Sequence, residues 1–110
     1  MLPNPTKHQD EDNLLEYVRY SIPVFDRDNQ HVGVVKFVHL GKDQPDSLTA
    51  LPDSVAEAPK HIRNYLLREG FIQIETGLST KDRFATPDQI AELSDAYIAL
   101  NALTSGLTAL

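Results

Sequence analysis

Side chains in the first apolar stretch of the chain, residues 14–25, alternate between two sets. One set is Val18, Tyr20, Ile22 and Val24, and the other is Tyr17, Arg19, Ser21 and Pro23. A period of two is typical of a strand with one buried face. Proline cannot donate a hydrogen bond to an internal ladder, which places Pro23 near the end of the strand. The pattern therefore predicts a half-buried strand over residues 14–25.

A polar turn and a second apolar run follow this strand. Residues 26–30 are all polar or charged, and Asn29 tolerates the left-handed backbone that a tight turn requires. Residues 32–40 are rich in β-branched and aromatic side chains, so the two runs predict a β-hairpin. Gly33 within the second strand indicates a bulge or the close approach of another backbone.

One helix is predicted in the middle of the chain, after a loop that contains prolines. Ser54 and Glu57 have the spacing of a capping box, but Pro59 would interrupt the first turn of a helix that began there. We therefore predict the helix over residues 59–69, with Pro59 in its first turn and Gly70 at its end. Its predicted buried stripe is Ile62, Tyr65 and Leu66, with Glu69 as an optional fourth member.

The remaining elements are short and separated by turn residues. They are predicted as strands over residues 71–76, 83–86 and 96–103, with a helical turn over residues 87–93. In the last strand, the face with Tyr97, Ala99 and Asn101 is predicted opposite the face with Ile98, Leu100 and Ala102. About five short strands with one inserted helix and one helical turn describe a mostly-β fold (β or α+β), a small barrel or sandwich.

Length and charge narrow the possible functions. A chain of 110 residues suffices for one domain with its own core, and we expect a disordered arm over residues 1–13, the domain over 14–103 and a C-terminal tail over 104–110. The net charge is −6, with 10 basic against 16 acidic residues, which argues against nucleic-acid binding because that binding depends on basic side chains. The sequence shows no signal segment, no membrane-spanning run and no cysteine, so we expect a cytoplasmic protein without membrane insertion.

Histidines and carboxylates form no recognised catalytic or metal-binding motif in the sequence. The four histidines are His8, His31, His39 and His61; none is paired at the spacing of a helical zinc site, and only His39 is expected to be partly buried. Asp26 and Asp28 resemble the start of a calcium loop, but the glycine and glutamate positions of that loop hold His31 and Phe37. We therefore place both carboxylates in an exposed turn and expect no catalytic residue, no metal and no cofactor.

Three segments, in this order, resemble those of PRC-barrel domains. Residues 22–26 (IPVFD) followed by 32–35 (VGVV) resemble the opening hairpin of that family, residues 65–78 its helix-to-strand module, and residues 81–90 its segment of the form KDxYVPxDxI. Asn29 stands where the family usually has a glycine in the turn. The resemblance covers about residues 20–103 and implies a small PRC-type β-barrel of about five strands.

The resemblance implies a function in binding. Domains of this family occur in the reaction-centre H subunit of photosynthetic bacteria and in a ribosome-maturation factor, as adaptor or assembly surfaces. We therefore expect a non-catalytic protein-binding module that contacts a protein partner or a second copy of the chain. Leu103, Leu107 and Leu110 recur near helical spacing and are the candidate partner-binding residues, with the alternative that they cover the mouth of the chain's own barrel.

Two other hypotheses remain open at this point. The first is a small-ligand or metal-binding, stress-related protein that uses the mouth of the barrel. The second is contact with RNA or the ribosome, prompted by the kinship with the maturation factor. For this second hypothesis, the acidic charge favours a basic ribosomal protein over RNA as the partner.

Overall fold

The computed structural model describes residues 14–41, 51–77 and 80–110. Its strands are β1 (Pro23–Phe25), β2 (His31–His39), β3 (Phe71–Glu75), β4 (Arg83–Ala85), β5 (Ile90–Leu93), β6 (Ile98–Leu100) and β7 (Thr108–Ala109). Two helices, α1 (Asp53–Ala56) and α2 (Lys60–Glu69), lie between β2 and β3. Single 3-10 turns occupy Leu14–Tyr17, Pro87–Gln89 and Thr104–Gly106.

The strands form one open sheet of seven strands in the order β5-β6-β1-β2-β3-β4-β7. From β1 to β4 the chain runs as an antiparallel meander, and β5 and β6 form a second antiparallel pair. The two groups join where β6 lies parallel to β1. The mostly-β or α+β class predicted from the sequence is confirmed; the described sheet is open, with seven strands where about five were predicted.

Each face of the sheet packs against a hydrophobic core. The inner face carries the larger core, formed by Leu15, Val24, Val32, Val35, Ile72, Ile74, Ala85, Ile98, Leu100 and Leu107. The outer face meets the two helices in a smaller core of Val55, Leu66, Phe71 and Phe84. Because successive side chains of a strand point to opposite faces, β3 supplies Ile72 to the inner core and Phe71 to the outer one.

The N-terminal strand predicted over residues 14–25 is wrong for most of its length. Only Pro23–Phe25 is a strand, preceded by a 3-10 turn and by Ser21 with φ of 70°. The side chains that contact the larger core here are Leu15, Val18 and Ile22. Their spacing of three and four residues places them on one side of a helical turn and the segment after it. Contact with the core therefore determines the conformation here, and not the alternation seen in the sequence.

The predicted helix is confirmed, but its buried stripe is only partly right. Pro59 precedes the first residue of α2, and Gly70 ends the helix with φ of 84°, a conformation that favours glycine. Leu66 is buried and Ile62 packs partly against the smaller core, whereas Tyr65 is 41% exposed. Tyr65 is not part of the smaller core, and the Arg68 guanidinium lies 5.6 Å from its ring centre.

The predicted helical turn over residues 87–93 ends after one turn. Pro87–Gln89 is a 3-10 turn in which the Gln89 side chain accepts a hydrogen bond from the Thr86 N–H at 3.1 Å. Ile90 onwards is the strand β5, because pairing with β6 determines its conformation. None of the helices within the described residues is long and apolar enough to cross a lipid bilayer.

Residues 104–110, predicted as a tail outside the domain, take part in the sheet. The strand predicted over residues 96–103 is confirmed as the shorter β6, and the chain then makes a 3-10 turn. It returns as β7, which pairs antiparallel with β4. The segment therefore runs from one side of the sheet to the other. The arm predicted over residues 1–13 lies outside the described residues.

Candidate functional site

Part of the outer sheet face has no helix over it among the described residues. The helices pack on β3, β4 and the second half of β2, as the smaller core shows. The rest of this face lies on β1, β6 and the first half of β2, where pairing places Pro23 beside Val34 and Phe25 beside Ala99. Its apolar side chains, named here the outer patch, are Pro23, Phe25, Val34, Tyr97 and Ala99, and all are partly exposed.

Aromatic contacts hold the centre of the outer patch in place. The Phe25 ring lies 6.3 Å from the Tyr97 ring in an edge-to-face arrangement and 5.5 Å from the His31 ring. Tyr97 donates its hydroxyl hydrogen to Glu92 Oε2 at 2.7 Å. This hydrogen bond and the negative charge of Glu92 raise the pKa of Tyr97, so the phenol stays protonated and its ring stays oriented.

Acidic side chains predominate around the outer patch. Glu75 pairs with Val34 across β2 and β3, and Glu92 pairs with Ala99 across β5 and β6. Both are exposed, as is Asp28 in the turn that joins β1 to β2. Arg27 in the same turn is exposed and carries the opposite charge. The patch is therefore apolar at its centre and negatively charged around it.

Two more exposed tyrosines lie on the segment before β1. Tyr17 is 58% exposed and Tyr20 is 57% exposed. Arg19 Nε lies 3.4 Å from Asp95 Oδ1, which brings this segment to the turn between β5 and β6. Since Tyr97 ends that turn, the N-terminal segment comes near one end of the outer patch.

A separate cleft opens between the sheet and the start of α1. It has a volume of about 550 Å³ and is lined by residues 51–54 together with Lys36, Phe37, Gln73 and Asp82. The side chain of Gln73 is buried and donates from Nε2 to Asp82 Oδ2 at 2.7 Å. Lys36 Nζ lies 3.4 Å from the same carboxylate oxygen. These three polar side chains thus converge on one wall of the cleft.

Asp26 is buried, which corrects the prediction that it is an exposed turn carboxylate. Only 6% of it is exposed, and Oδ1 accepts hydrogen bonds from the N–H groups of Asp28 and Gln30 at 2.9 and 3.0 Å. Oδ2 accepts from the Thr104 N–H at 3.0 Å and its hydroxyl at 2.7 Å. These bonds, that from the Thr104 hydroxyl above all, lower the pKa of Asp26 from 3.8 to about 2. The carboxylate thereby ties the β1–β2 turn to the C-terminal segment.

Among the histidines of the described residues, His39 is the buried one, as predicted. Its Nδ1 accepts a hydrogen bond from the Gly41 N–H at 3.0 Å, and its ring stacks on Phe71 at 5.5 Å. Burial lowers the pKa of His39 below its ordinary value of 6.5. His31 and His61 are exposed, and His8 lies outside the described residues. Within residues 14–41, 51–77 and 80–110, no group of three or more histidine, aspartate or glutamate side chains could hold a metal ion.

The three candidate leucines of the C-terminal segment pack in different places. Leu107 is 4% exposed and belongs to the larger core, whereas Leu110 packs partly against the smaller one. Leu103 is half-buried just before the 3-10 turn. No α-helix places them on a common stripe, because the segment is a turn followed by a strand. Their role in binding a partner stays a prediction.

Sequence reasoning missed the outer patch and the polar wall of the cleft. The prediction that Tyr97 and Ala99 lie on the face of the last strand opposite Ile98 is confirmed. Their position beside Phe25 depends on the parallel pairing of β6 with β1, for which the sequence carries no local signal.

Comparisons with known proteins give no relative for this chain: no family model matches it, and neither the curated proteins nor the solved structures yield a match.

Proposed function

We propose that this chain is a non-catalytic protein-binding module of the PRC-barrel kind, which contacts a partner through the outer patch. The observation that carries the proposal is the part of the outer sheet face that no helix of the described residues covers, with Phe25 and Tyr97 at its centre. Aromatic side chains are enriched at protein interfaces because they bury much apolar surface at low entropic cost. An adaptor role and a cytoplasmic location are expectations that the PRC-barrel resemblance and the composition support.

Charge favours a partner with a basic surface. The exposed carboxylates of Glu75, Glu92 and Asp28 surround the outer patch, and the whole chain carries a net charge of −6. Opposite charge at the rim of an interface accelerates encounter and excludes like-charged partners. Two copies of this chain would bring like charges together, so we propose a different protein with basic residues around an apolar centre.

The proposal is tested by affinity capture from the native lysate with a matched pair of variants. Phe25→Lys places a positive charge in the outer patch, and Tyr65→Lys makes the same change on the exposed side of α2. We expect wild-type protein and Tyr65→Lys to retain the same basic protein, and Phe25→Lys to lose it. Val34→Lys, a second patch variant, should lose it as well, and thermal unfolding shows which variants are folded.

Three outcomes would contradict the proposal. One is retention of the same proteins by folded Phe25→Lys and Val34→Lys. Another is a patch-dependent partner with an acidic surface, which would refute the charge argument. The third is capture of further copies of this chain alone, which would indicate self-association instead of an adaptor function.

A further inference from the structure

We propose that the cleft between the sheet and α1 binds a small organic cation with an alkylammonium or guanidinium group. The site is separate from the outer patch and does not depend on the function proposed for it. Its central ligand group is the carboxylate of Asp82, which faces the cleft together with Lys36 and Gln73.

The Asp82 carboxylate is held in position before any ligand arrives. Oδ2 accepts the hydrogen bond from Gln73 Nε2 at 2.7 Å, and Gln73 is only 5% exposed within β3. The Asp82 carbonyl also accepts a hydrogen bond from the Leu110 N–H at 3.2 Å, which anchors the backbone. A charged group fixed by its neighbours loses little entropy when it binds an opposite charge.

The other groups of the cleft also favour a cation. Asp53 also lines the cleft, so the described lining residues carry two carboxylates and one ammonium group, that of Lys36. Phe37 contributes an aromatic surface, which attracts ammonium and guanidinium groups more strongly than anions. Because the described lining residues carry a net negative charge, they favour a cationic ligand over an anionic one.

Lys36 occupies the position that the ligand's cation would take. Its Nζ lies 3.4 Å from Asp82 Oδ2, but half of its side chain is exposed. At 3.4 Å, with a half-exposed lysine, this ion pair is a weak one, so Lys36 can turn out into solvent when a better-placed cation arrives. Lys36 is therefore a competitor for the ligand and not its binding partner.

The test is a nuclear magnetic resonance titration with three capped amino acids: N-acetyl-arginine amide, N-acetyl-glutamate amide and N-acetyl-norleucine amide. The side-chain amide of Gln73 is the reporter, because it contacts the carboxylate directly. We expect saturable shifts of this amide with the arginine probe alone. A peptide with one central arginine is titrated in the same way. Comparing its binding with that of the arginine probe distinguishes a small free cation from the side chain of a polypeptide as the ligand.

Variants determine the sign of the charge that the cleft recognises. Lys36→Met should tighten binding of the arginine probe by about two- to fivefold, because it removes the competing cation. Asp82→Asn should weaken it by at least about tenfold, since a charge-assisted hydrogen bond is lost. Glu92→Gln and Phe25→Lys, both at the outer patch, should leave binding of the arginine probe unchanged.

The inference is overturned if Lys36→Met abolishes binding of the arginine probe, or if the glutamate probe binds and depends on Lys36. Equal shifts with the norleucine probe would indicate apolar binding and refute it too. Lack of any saturable shift in wild type and in Lys36→Met would show that the cleft is not a cation site. Since Lys36→Met alters a half-exposed side chain, this arm remains decisive even if Asp82→Asn fails to fold.

Discussion

At the scale of single residues, His39 shows how burial determines the protonation state of a side chain. Its Nδ1 accepts the Gly41 N–H, so that nitrogen cannot carry a proton in the folded protein. Protonation would replace this hydrogen bond by repulsion between two N–H groups and would place a charge in a buried position. Both effects favour the neutral ring, in line with its lowered pKa.

This environment predicts that the protein loses stability in mild acid. The pKa of His39 is below 6.5 when folded and near 6.5 when unfolded, so below pH 6.5 the unfolded chain binds more protons. The contribution of His39 to the free energy of unfolding should therefore be complete above that pH and decrease below it. Urea unfolding at a series of pH values between 8 and about 5 measures this slope.

Two asparagine variants isolate the contribution of His39. His39→Asn keeps an acceptor for the Gly41 N–H but does not titrate, so we expect a smaller fall in stability below pH 6.5. His61→Asn, on the exposed side of α2, should keep the wild-type slope. An unchanged slope in His39→Asn would show that other groups cause the acid sensitivity.

Among the elements of the fold, the close pairing of β2 with β3 depends on a glycine, Gly33. A Cβ atom on Gly33 would lie 2.0 Å from the carbonyl oxygen of Glu75, a distance that no side chain tolerates. Gly33 indicated in the sequence a bulge or the close approach of another backbone, and the close approach is confirmed. The register between β1 and β2 also shifts next to it, between Val24 and Phe25.

We expect Gly33→Ala to lower the free energy of unfolding by about 1–3 kcal/mol, because the two strands must move apart. Gly106→Ala is the matched control, since no atom lies within 4 Å of a Cβ at that position. Its effect should stay within about 0.5 kcal/mol. Chemical denaturation of the three proteins measures both values, and equal stability of Gly33→Ala and wild type would mean that the strands separate at no cost.

The elements that the sequence predicts well are those with a strong local pattern. Residues 71–75 and the helix after Pro59 each have a recognisable local sequence pattern, and Gly70 separates the two elements. The segment around Leu15 was misassigned because a contact with the core determines its conformation. Ile90–Leu93 was misassigned because its conformation depends on pairing with β6.

Sites were harder to predict than elements because they join residues far apart in the chain. Gln73 and Asp82 lie 9 residues apart in the chain, and their hydrogen bond leaves no periodic signal. Phe25 and Tyr97 meet only because β1 and β6 are parallel neighbours.

At the scale of the whole molecule, Asp26 connects two distant parts of the chain. Its carboxylate accepts hydrogen bonds within the β1–β2 turn and also from Thr104, which lies 78 residues away. The Arg27 N–H adds a backbone hydrogen bond to the Ala102 carbonyl at 2.9 Å. Together these bonds fix the start of the segment that carries Leu107 into the larger core.

Asp26→Asn should destabilise the protein, because an amide nitrogen would then face N–H donors. The folded pKa of about 2 lies below the ordinary 3.8, so the stabilisation is complete well above pH 3.8 and is lost as the pH falls toward about 2. We therefore expect the difference between wild type and Asp26→Asn to be largest at neutral pH and to shrink in acid. Thermal unfolding at pH 7 and pH 3 measures it.

Asp28→Asn, an exposed change in the same turn, is the control and should differ little from wild type at either pH. If Asp26→Asn and Asp28→Asn unfold at the same temperature at pH 7, the link to Thr104 contributes nothing to stability.

The parallel pair of β1 and β6 has a consequence for how the chain folds. The meander from β1 to β4 closes through neighbouring strands, whereas β6 joins β1 only after some 70 intervening residues have been synthesised. Closing so long a loop is entropically costly and slows folding. While a nascent chain waits for β6, one edge of β1 has no partner strand, and its apolar side chains are open to capture by chaperones or by other chains.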